Sequence, residues 1–137
     1  VCEEVGISSA YYRKLSGYWF QTARNAAESL FRQEDRPTAC VTPGFTFSYG
    51  AWQGIMDAGL KIPQDVSFIG FDANTNSNPC MSSMMQPVAS ITEKAIELIF
   101  DLRNRGKHLK QRHYEFPAEF ADHGSCSRLT PTHKKGK

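Results

Sequence analysis

At three places in the sequence, a turn-forming or polar residue stands at the end of a short apolar run. They are Pro43-Gly44, Asp72 and Gln86. A carboxylate accepts hydrogen bonds, and an amide both donates and accepts them, so Asp72 and Gln86 suit the recognition of a small polar molecule. Two alternatives stay open: Asp72 as a turn residue that bonds its own backbone, and Gln86 as a simple polar strand end.

Helical and strand patterns alternate along the chain and predict the frame that positions these residues. Apolar residues recur at three- and four-residue spacing in three segments, and short apolar runs lie between them. The sequence predicts helices at 16–32, 45–58 and 88–105, and strands at 38–42, 66–71, 83–86 and 112–116. This order indicates an α/β layered fold with a mainly parallel sheet flanked by helices. Ligands of such sheets bind at the carboxyl ends of the strands, where Gly44, Asp72 and Gln86 fall.

Two glycines lie inside the second predicted helix. Gly50 and Gly54 each cost a helix about 1 kcal/mol relative to alanine, which predicts close packing of this helix on a neighbour as compensation. Gly59 is the expected residue just after the helix end.

Composition excludes several classes of protein. The chain has 137 residues, of which 40% are hydrophobic and 22% charged, so disorder and a collagen-like chain are excluded. No apolar run approaches the roughly 18 residues of a membrane span. The net charge is +2. The charge is too small to argue for nucleic acid as a direct partner.

The four cysteines form no Cys-x-x-Cys pair and the four histidines have no ligand spacing, so neither a metal nor another cofactor is predicted. Unpaired thiols favour a cytoplasmic protein. No hydrolase, nucleotide-binding or zinc-protease motif is present, which disfavours an enzyme.

The segment 58–72, Ala-Gly-Leu-Lys-Ile-Pro-Gln-Asp-Val-Ser-Phe-Ile-Gly-Phe-Asp, resembles a hallmark of the lactose-repressor (LacI/GalR) family of bacterial transcriptional regulators. Arg36-Pro37-Thr38-Ala39, Ser16-Gly17-Tyr18 and Met85-Gln86-Pro87 resemble family segments in the same order and at similar spacing. The resemblance covers roughly residues 8 to 122.

This resemblance implies part of a type I periplasmic-binding-protein-like effector domain, in which two α/β lobes enclose a ligand cleft. Residues 8–83 would belong to the C-terminal lobe, 88–117 would cross to the N-terminal lobe, and 124–137 would form a mobile tail. The family's DNA-binding head and most of its N-terminal lobe precede the matched region and are not expected in this sequence.

The resemblance also assigns ligand contacts. It implies that Asp72 accepts hydrogen bonds from ligand hydroxyls or amines, that Gln86 faces the cleft, and that Tyr12 stacks on a ligand ring. An ordinary, partly buried tyrosine is the alternative for Tyr12. Family members usually carry an Asn-Asp pair before the second helix, and Gly44-Phe45 stands there. Gly44 is therefore a predicted site residue that offers the ligand no polar side chain.

The sequence therefore predicts a ligand-sensing module of a LacI-type regulator that binds a small polar effector, sugar-like in chemistry, between two lobes. DNA would be bound only through a head outside this chain, no membrane would be involved, and a homodimer would form through the C-terminal lobe near Tyr49. One alternative is an exported sugar-binding protein of the same superfamily. Another is a small α/β enzyme that depends on Asp72.

Overall fold

The computed structural model describes residues 17, 20–72, 79–105 and 113–128. Three helices and four strands alternate in this part of the chain: α1 (Phe20–Phe31), β1 (Ala39–Val41), α2 (Phe45–Asp57), β2 (Ser67–Phe71), β3 (Ser83–Met85), α3 (Val88–Arg105) and β4 (Glu119–Ala121). The mixed α/β class is therefore as predicted. Tyr12 lies outside the described residues.

The four strands form one sheet in the order β1-β2-β3-β4. The first three are parallel, with Val41 opposite Ile69 and Phe71 opposite Met84, and β4 runs antiparallel to β3. Because β1, β2 and β3 run in one direction, their carboxyl ends lie at the same edge of the sheet. That edge carries Thr42, Asp72 and Gln86 as the residues that follow the strands.

The last strand is not where the sequence predicted it. Residues 113–116, the described part of the run 112–116, are not in a strand, and β4 begins at Glu119 after Pro117. A strand requires a hydrogen-bonded neighbour, and Met84 and Met85 of β3 provide one opposite Phe120 and Glu119. The alternation of apolar and polar side chains within one segment does not show which strand lies beside it.

α1 and α2 pack with their backbones unusually close together. A Cβ atom added at Gly50 would overlap the Phe20 carbonyl oxygen, and one at Gly54 would overlap the Arg24 carbonyl oxygen. The close packing predicted from these glycines is confirmed. The Arg24 guanidinium group donates to the Asp57 carboxylate across this contact, which lowers the pKa of that carboxyl group.

The core lies between α2 and the sheet. Phe68, Ile55 and Val66 are fully buried there, and the Trp52 ring meets the Phe68 ring edge-on at 5.3 Å between centroids. Cys40 packs against the same cluster, and burial raises the pKa of its thiol to about 12. A thiol protonated throughout the physiological range acts here as a small apolar group.

The segment after β4 is bonded to the sheet. The Ser125 carbonyl accepts from the Phe68 N–H at 2.8 Å, and the buried Ser125 hydroxyl accepts from the Ser82 N–H at 2.8 Å. The pKa of Asp122 is lowered by hydrogen bonds from the Gly124 N–H and the Ser82 hydroxyl. Residues 124–128, which the sequence assigned to a polar tail, thus extend the hydrogen bonding beside β2.

α3 presents an apolar side to solvent. Its exposed apolar side chains are Val88, Ile96, Ile99, Phe100 and Leu102. On another side of the helix, the Lys94 ammonium group lies 5.0 Å from the centre of the Tyr114 ring. None of the helices described is both long and apolar enough to cross a membrane.

Candidate ligand-binding site

Asp72 and Gln86 meet at the carboxyl edge of the sheet. The Gln86 backbone N–H donates to Asp72 Oδ1 at 3.0 Å, and the Gln86 side-chain Nε2 donates to Asp72 Oδ2. Asp72 is half-buried and Gln86 is exposed, so the pair is accessible from solvent. The structure thus brings together two of the residues that the sequence predicted for the site.

The backbone of Asp72 lies in the left-handed region, with φ at 52°. Aspartate tolerates this conformation better than most side chains do. The Asp72 N–H donates to the Met84 carbonyl at 2.8 Å, which continues the pairing of β2 with β3 for one more residue. The carboxylate is therefore held by its own backbone pairing as well as by Gln86.

A buried hydroxyl network connects Gly44 to the same edge. The Ser48 hydroxyl donates to the Gly44 carbonyl at 2.8 Å and accepts from the Phe71 N–H at 3.3 Å. The Thr42 hydroxyl, which is also buried, lies 2.8 Å from the Ser48 oxygen. Because the Ser48 proton is directed to Gly44, Thr42 acts as the donor in this pair. Gly44 is thus tied to the residue that precedes Asp72.

Gly44 itself contributes no side chain to the site. Its backbone is extended, with φ at 174° and ψ at 168°, and an added Cβ would meet no atom of the described residues within 4 Å. It directly precedes α2, and as a glycine it has no side chain with which to cap the helix. The next residue, Phe45, is 47% exposed and packs against Tyr49 with 4.9 Å between ring centroids.

The sequence pattern did not indicate Ser48 or Thr42 as residues of the site. One feature of the sequence could have indicated Ser48: it is a polar residue on the apolar side of a predicted helix, close to the buried position of Ala51. Its bonding partners lie at the ends of two strands, so local spacing did not reveal them.

Removal of the Ser48 hydroxyl is expected to destabilise the protein. Ser48→Ala leaves the buried Thr42 hydroxyl and the Phe71 N–H without this partner, which should lower the free energy of unfolding by about 1–3 kcal/mol. Urea denaturation measures the change. Ser90→Ala, at an exposed position of α3, is the matched control and should change stability by less than about 0.5 kcal/mol. Equal effects of the two substitutions would contradict the role given to Ser48.

The edge offers several hydrogen-bond acceptors. In the described ranges no group of three His, Cys, Asp or Glu side chains is arranged to hold a metal ion. Each Asp72 oxygen has a further lone pair beyond its bond to Gln86, and Gln86 Oε1 is an acceptor. The arrangement therefore suits a ligand that carries several hydrogen-bond donors.

The sequence profile of the periplasmic binding protein-like domain matches residues 1–126. This match includes all three strand ends of the candidate site. The chain belongs to the periplasmic binding protein-like domain family. Its curated relatives are LacI-family repressors, so the resemblance stated from the sequence is confirmed.

Two curated relatives illustrate the likeness. One is the HTH-type transcriptional repressor PurR of Aliivibrio salmonicida, 27% identical over 111 residues, which are 79% of this chain and 33% of the relative. Another is the ribose operon repressor of Haemophilus influenzae, 37% identical over 75 residues, which are 53% of this chain and 23% of the relative. The chain spans about a third or less of the length of these relatives.

Solved structures of LacI-family regulators have a similar fold. A regulatory protein of the LacI family from Chloroflexus aggregans is similar with a TM-score of 0.77 and 28% identity, covering 92% of this chain and 47% of that one. A LacI family transcriptional regulator from Arthrobacter, solved in complex with lactose, has a TM-score of 0.79, 18% identity and the same coverage. At 18% identity the second likeness shows the fold alone.

Proposed function

We propose that this chain is part of the ligand-sensing module of a LacI-type transcriptional regulator. The observation that carries the proposal is the solvent-accessible Asp72–Gln86 pair at the carboxyl edge of a parallel sheet in a periplasmic binding protein-like domain. Ligands of open α/β sheets bind at that edge. The ligand-binding residues are Asp72, Gln86, Gly44 and Tyr12, with Tyr12 assigned from the resemblance alone.

The ligand is a small polar molecule with hydroxyl or amine donors, sugar-like in chemistry. A carboxylate that has free lone pairs beside an amide oxygen favours donors and disfavours anions. Among the similar proteins, one is named for a ribose operon. Gly44 replaces the polar side chain that the resemblance leads us to expect, so the ligand makes one fewer side-chain hydrogen bond there.

Ligand binding would act on transcription through a DNA-binding head outside this chain, in the cytoplasm. Relatives that carry the same domain are named as repressors. A ligand that binds one arrangement of the two lobes better than another shifts the population between them, and the head responds to that shift.

Calorimetry of the protein at its native length tests the ligand site. We expect one member of a panel of pentoses, hexoses, disaccharides and nucleosides to bind, and Asp72→Ala to weaken that binding about 10- to 100-fold, since a hydrogen bond to a charged group contributes about 1.5–3 kcal/mol. Glu93→Ala, an exposed carboxylate of α3, is the control and should leave affinity unchanged. Full affinity in Asp72→Ala would overturn the site assignment.

The homodimer is supported by an apolar stripe along α2. Phe45, Tyr49, Trp52 and Met56 recur at helical spacing, and Phe45 and Met56 are 47% and 53% exposed. A groove of about 390 Å³, lined by Trp52, Met56, Leu60 and Ile62 among others, continues the stripe. An apolar surface of this kind marks a site for association.

Met56→Lys is expected to weaken the dimer of the native-length protein, because it places a charge within the stripe. Sedimentation equilibrium measures the dissociation constant. Lys61→Ala, a rim position of the same groove, should have little effect, since charges at a rim contribute little. An unchanged dimer in Met56→Lys would place the interface elsewhere.

A further inference from the structure

The residue that follows β2 is hydrogen-bonded through its side chain to the segment that begins α3. Asp72 lies directly after β2, and both of its carboxylate oxygens accept from Gln86, once from the backbone N–H and once from the side-chain amide. Gln86 is separated from the first residue of α3 by Pro87 alone. Two hydrogen bonds on two oxygens fix both the position and the orientation of this connection.

The connection is stiffened by its own backbone bonds. The Val88 N–H donates to the Gln86 carbonyl at 2.8 Å, and the Ile91 N–H donates to the Pro87 carbonyl at 3.1 Å. A change in the position of Gln86 would therefore be passed to the first turn of α3. Further along, Val88, Ile99 and Phe100 are 64%, 63% and 54% exposed, so these side chains provide little packing to hold the helix direction.

We propose that Asp72 is the positioning residue for α3: its carboxylate sets the angle at which this helix leaves the sheet. The same carboxylate is the main ligand contact of the proposed function, and in that respect the inference rests on it. A ligand group that donates a hydrogen bond to the Asp72 carboxylate therefore also affects the hydrogen bonds that this carboxylate accepts from Gln86. The group that recognises the ligand and the group that orients the helix are one side chain.

Two substitutions separate the hydrogen bonds from the backbone conformation. Asp72→Gly removes both acceptors and relieves the positive φ, since glycine adopts that region freely. Asp72→Asn keeps one carbonyl acceptor on a side chain that also tolerates the left-handed region. Loosening in Asp72→Gly therefore does not come from backbone strain, and Asp72→Asn shows how much follows from a lost carboxylate acceptor without the added backbone freedom of glycine.

Amide hydrogen exchange of the ligand-free, native-length protein tests the inference. In Asp72→Gly we expect exchange in the peptide 84–91 to become faster by about tenfold or more, because its protection depends on the two bonds to Asp72. Asp72→Asn should give an intermediate rate. The peptide 47–55 of α2 should exchange as in the unmodified protein, since the two bonds that the substitution removes both go to Gln86 and not to α2.

Two results would overturn the inference. One is an exchange rate at 84–91 in Asp72→Gly within about twofold of the unmodified protein, which would show that the bonds do not hold the connection. The other is equal acceleration at 84–91 and 47–55, which would show a general decrease in stability. Because no ligand is present, a failure here is distinct from a failure of the ligand site, which calorimetry reports separately.

Discussion

Gly54→Ala is expected to lower the free energy of unfolding by about 3 kcal/mol, as a case of severe overpacking. The added methyl group would overlap the Arg24 carbonyl oxygen and would lie 2.9 Å from both Ala27 Cβ and the Glu28 nitrogen. A backbone carbonyl cannot rotate away as a flexible side chain can, so α1 would have to move off α2. The gain in helix propensity from alanine, about 1 kcal/mol, is too small to compensate.

Urea denaturation, followed by far-UV circular dichroism and tryptophan fluorescence, measures this effect in the native-length protein. Gly44→Ala is the matched control, because it adds the same methyl group where none of the residues that the structure describes lies within 4 Å of the new atom. It should cost no more than about 1 kcal/mol, the difference between glycine and alanine before a helix. A Gly54→Ala protein as stable as the control would contradict the close contact of the two helices.

The 137-residue chain by itself is expected to self-associate. The exposed apolar side of α3 includes Ile99 at 63% and Phe100 at 54% exposure, and Phe120 of β4 is 50% exposed. Burying an apolar side chain of this size fully is worth about 1.5–3 kcal/mol, so covering the whole face would gain on the order of 5 kcal/mol or more. This is a large part of the stability of an ordinary domain.

Sedimentation equilibrium over a range of concentrations gives the association constant of the chain. Ile99→Lys should weaken association about tenfold or more, since it removes apolar contact and places a charge in the apolar side. Ser90→Lys adds the same charge at an exposed position on the side of α3 that carries Lys94 and should change little. A well-folded monomer at all concentrations, with α3 exposed, would refute this expectation.

Much of the frame could be predicted because local signals and tertiary packing agree. Gly59, expected just after the second helix, has φ at 82° and donates its N–H to the Met56 carbonyl at the end of α2. The run that ends at Asp72 forms β2, and its alternate residues Phe68 and Gly70 are buried. In these segments each residue type suits the structure it adopts, so sequence pattern and fold point the same way.

The wrongly predicted last strand and the unforeseen hydroxyl network have a common cause. β4 forms at Glu119–Ala121 because β3 lies beside it, and Ser48 is buried because the end of β2 lies against it. Ser125 likewise owes its burial to Phe68 and Ser82. In each case the partner is distant in the chain, and the spacing of residues does not indicate it.

Asp72 and Gln86 could be brought together from the sequence because parallel strands end at one edge. The strand order did not predict that the two side chains bond to each other directly. Nor did it predict that, among the described residues, the space where a side chain would begin at Gly44 is open. These details depend on side-chain geometry, which the strand order does not determine.

A crystal structure of the native-length protein with its bound small molecule would decide whether the carboxyl edge of the sheet is the ligand site. We predict that donor groups of the ligand lie within hydrogen-bonding distance of the Asp72 carboxylate, with Gln86 beside them and Gly44 facing the ligand without a side-chain contact. A ligand bound elsewhere, for example in the groove beside Trp52 and Met56 with the Asp72–Gln86 pair untouched, would contradict this assignment.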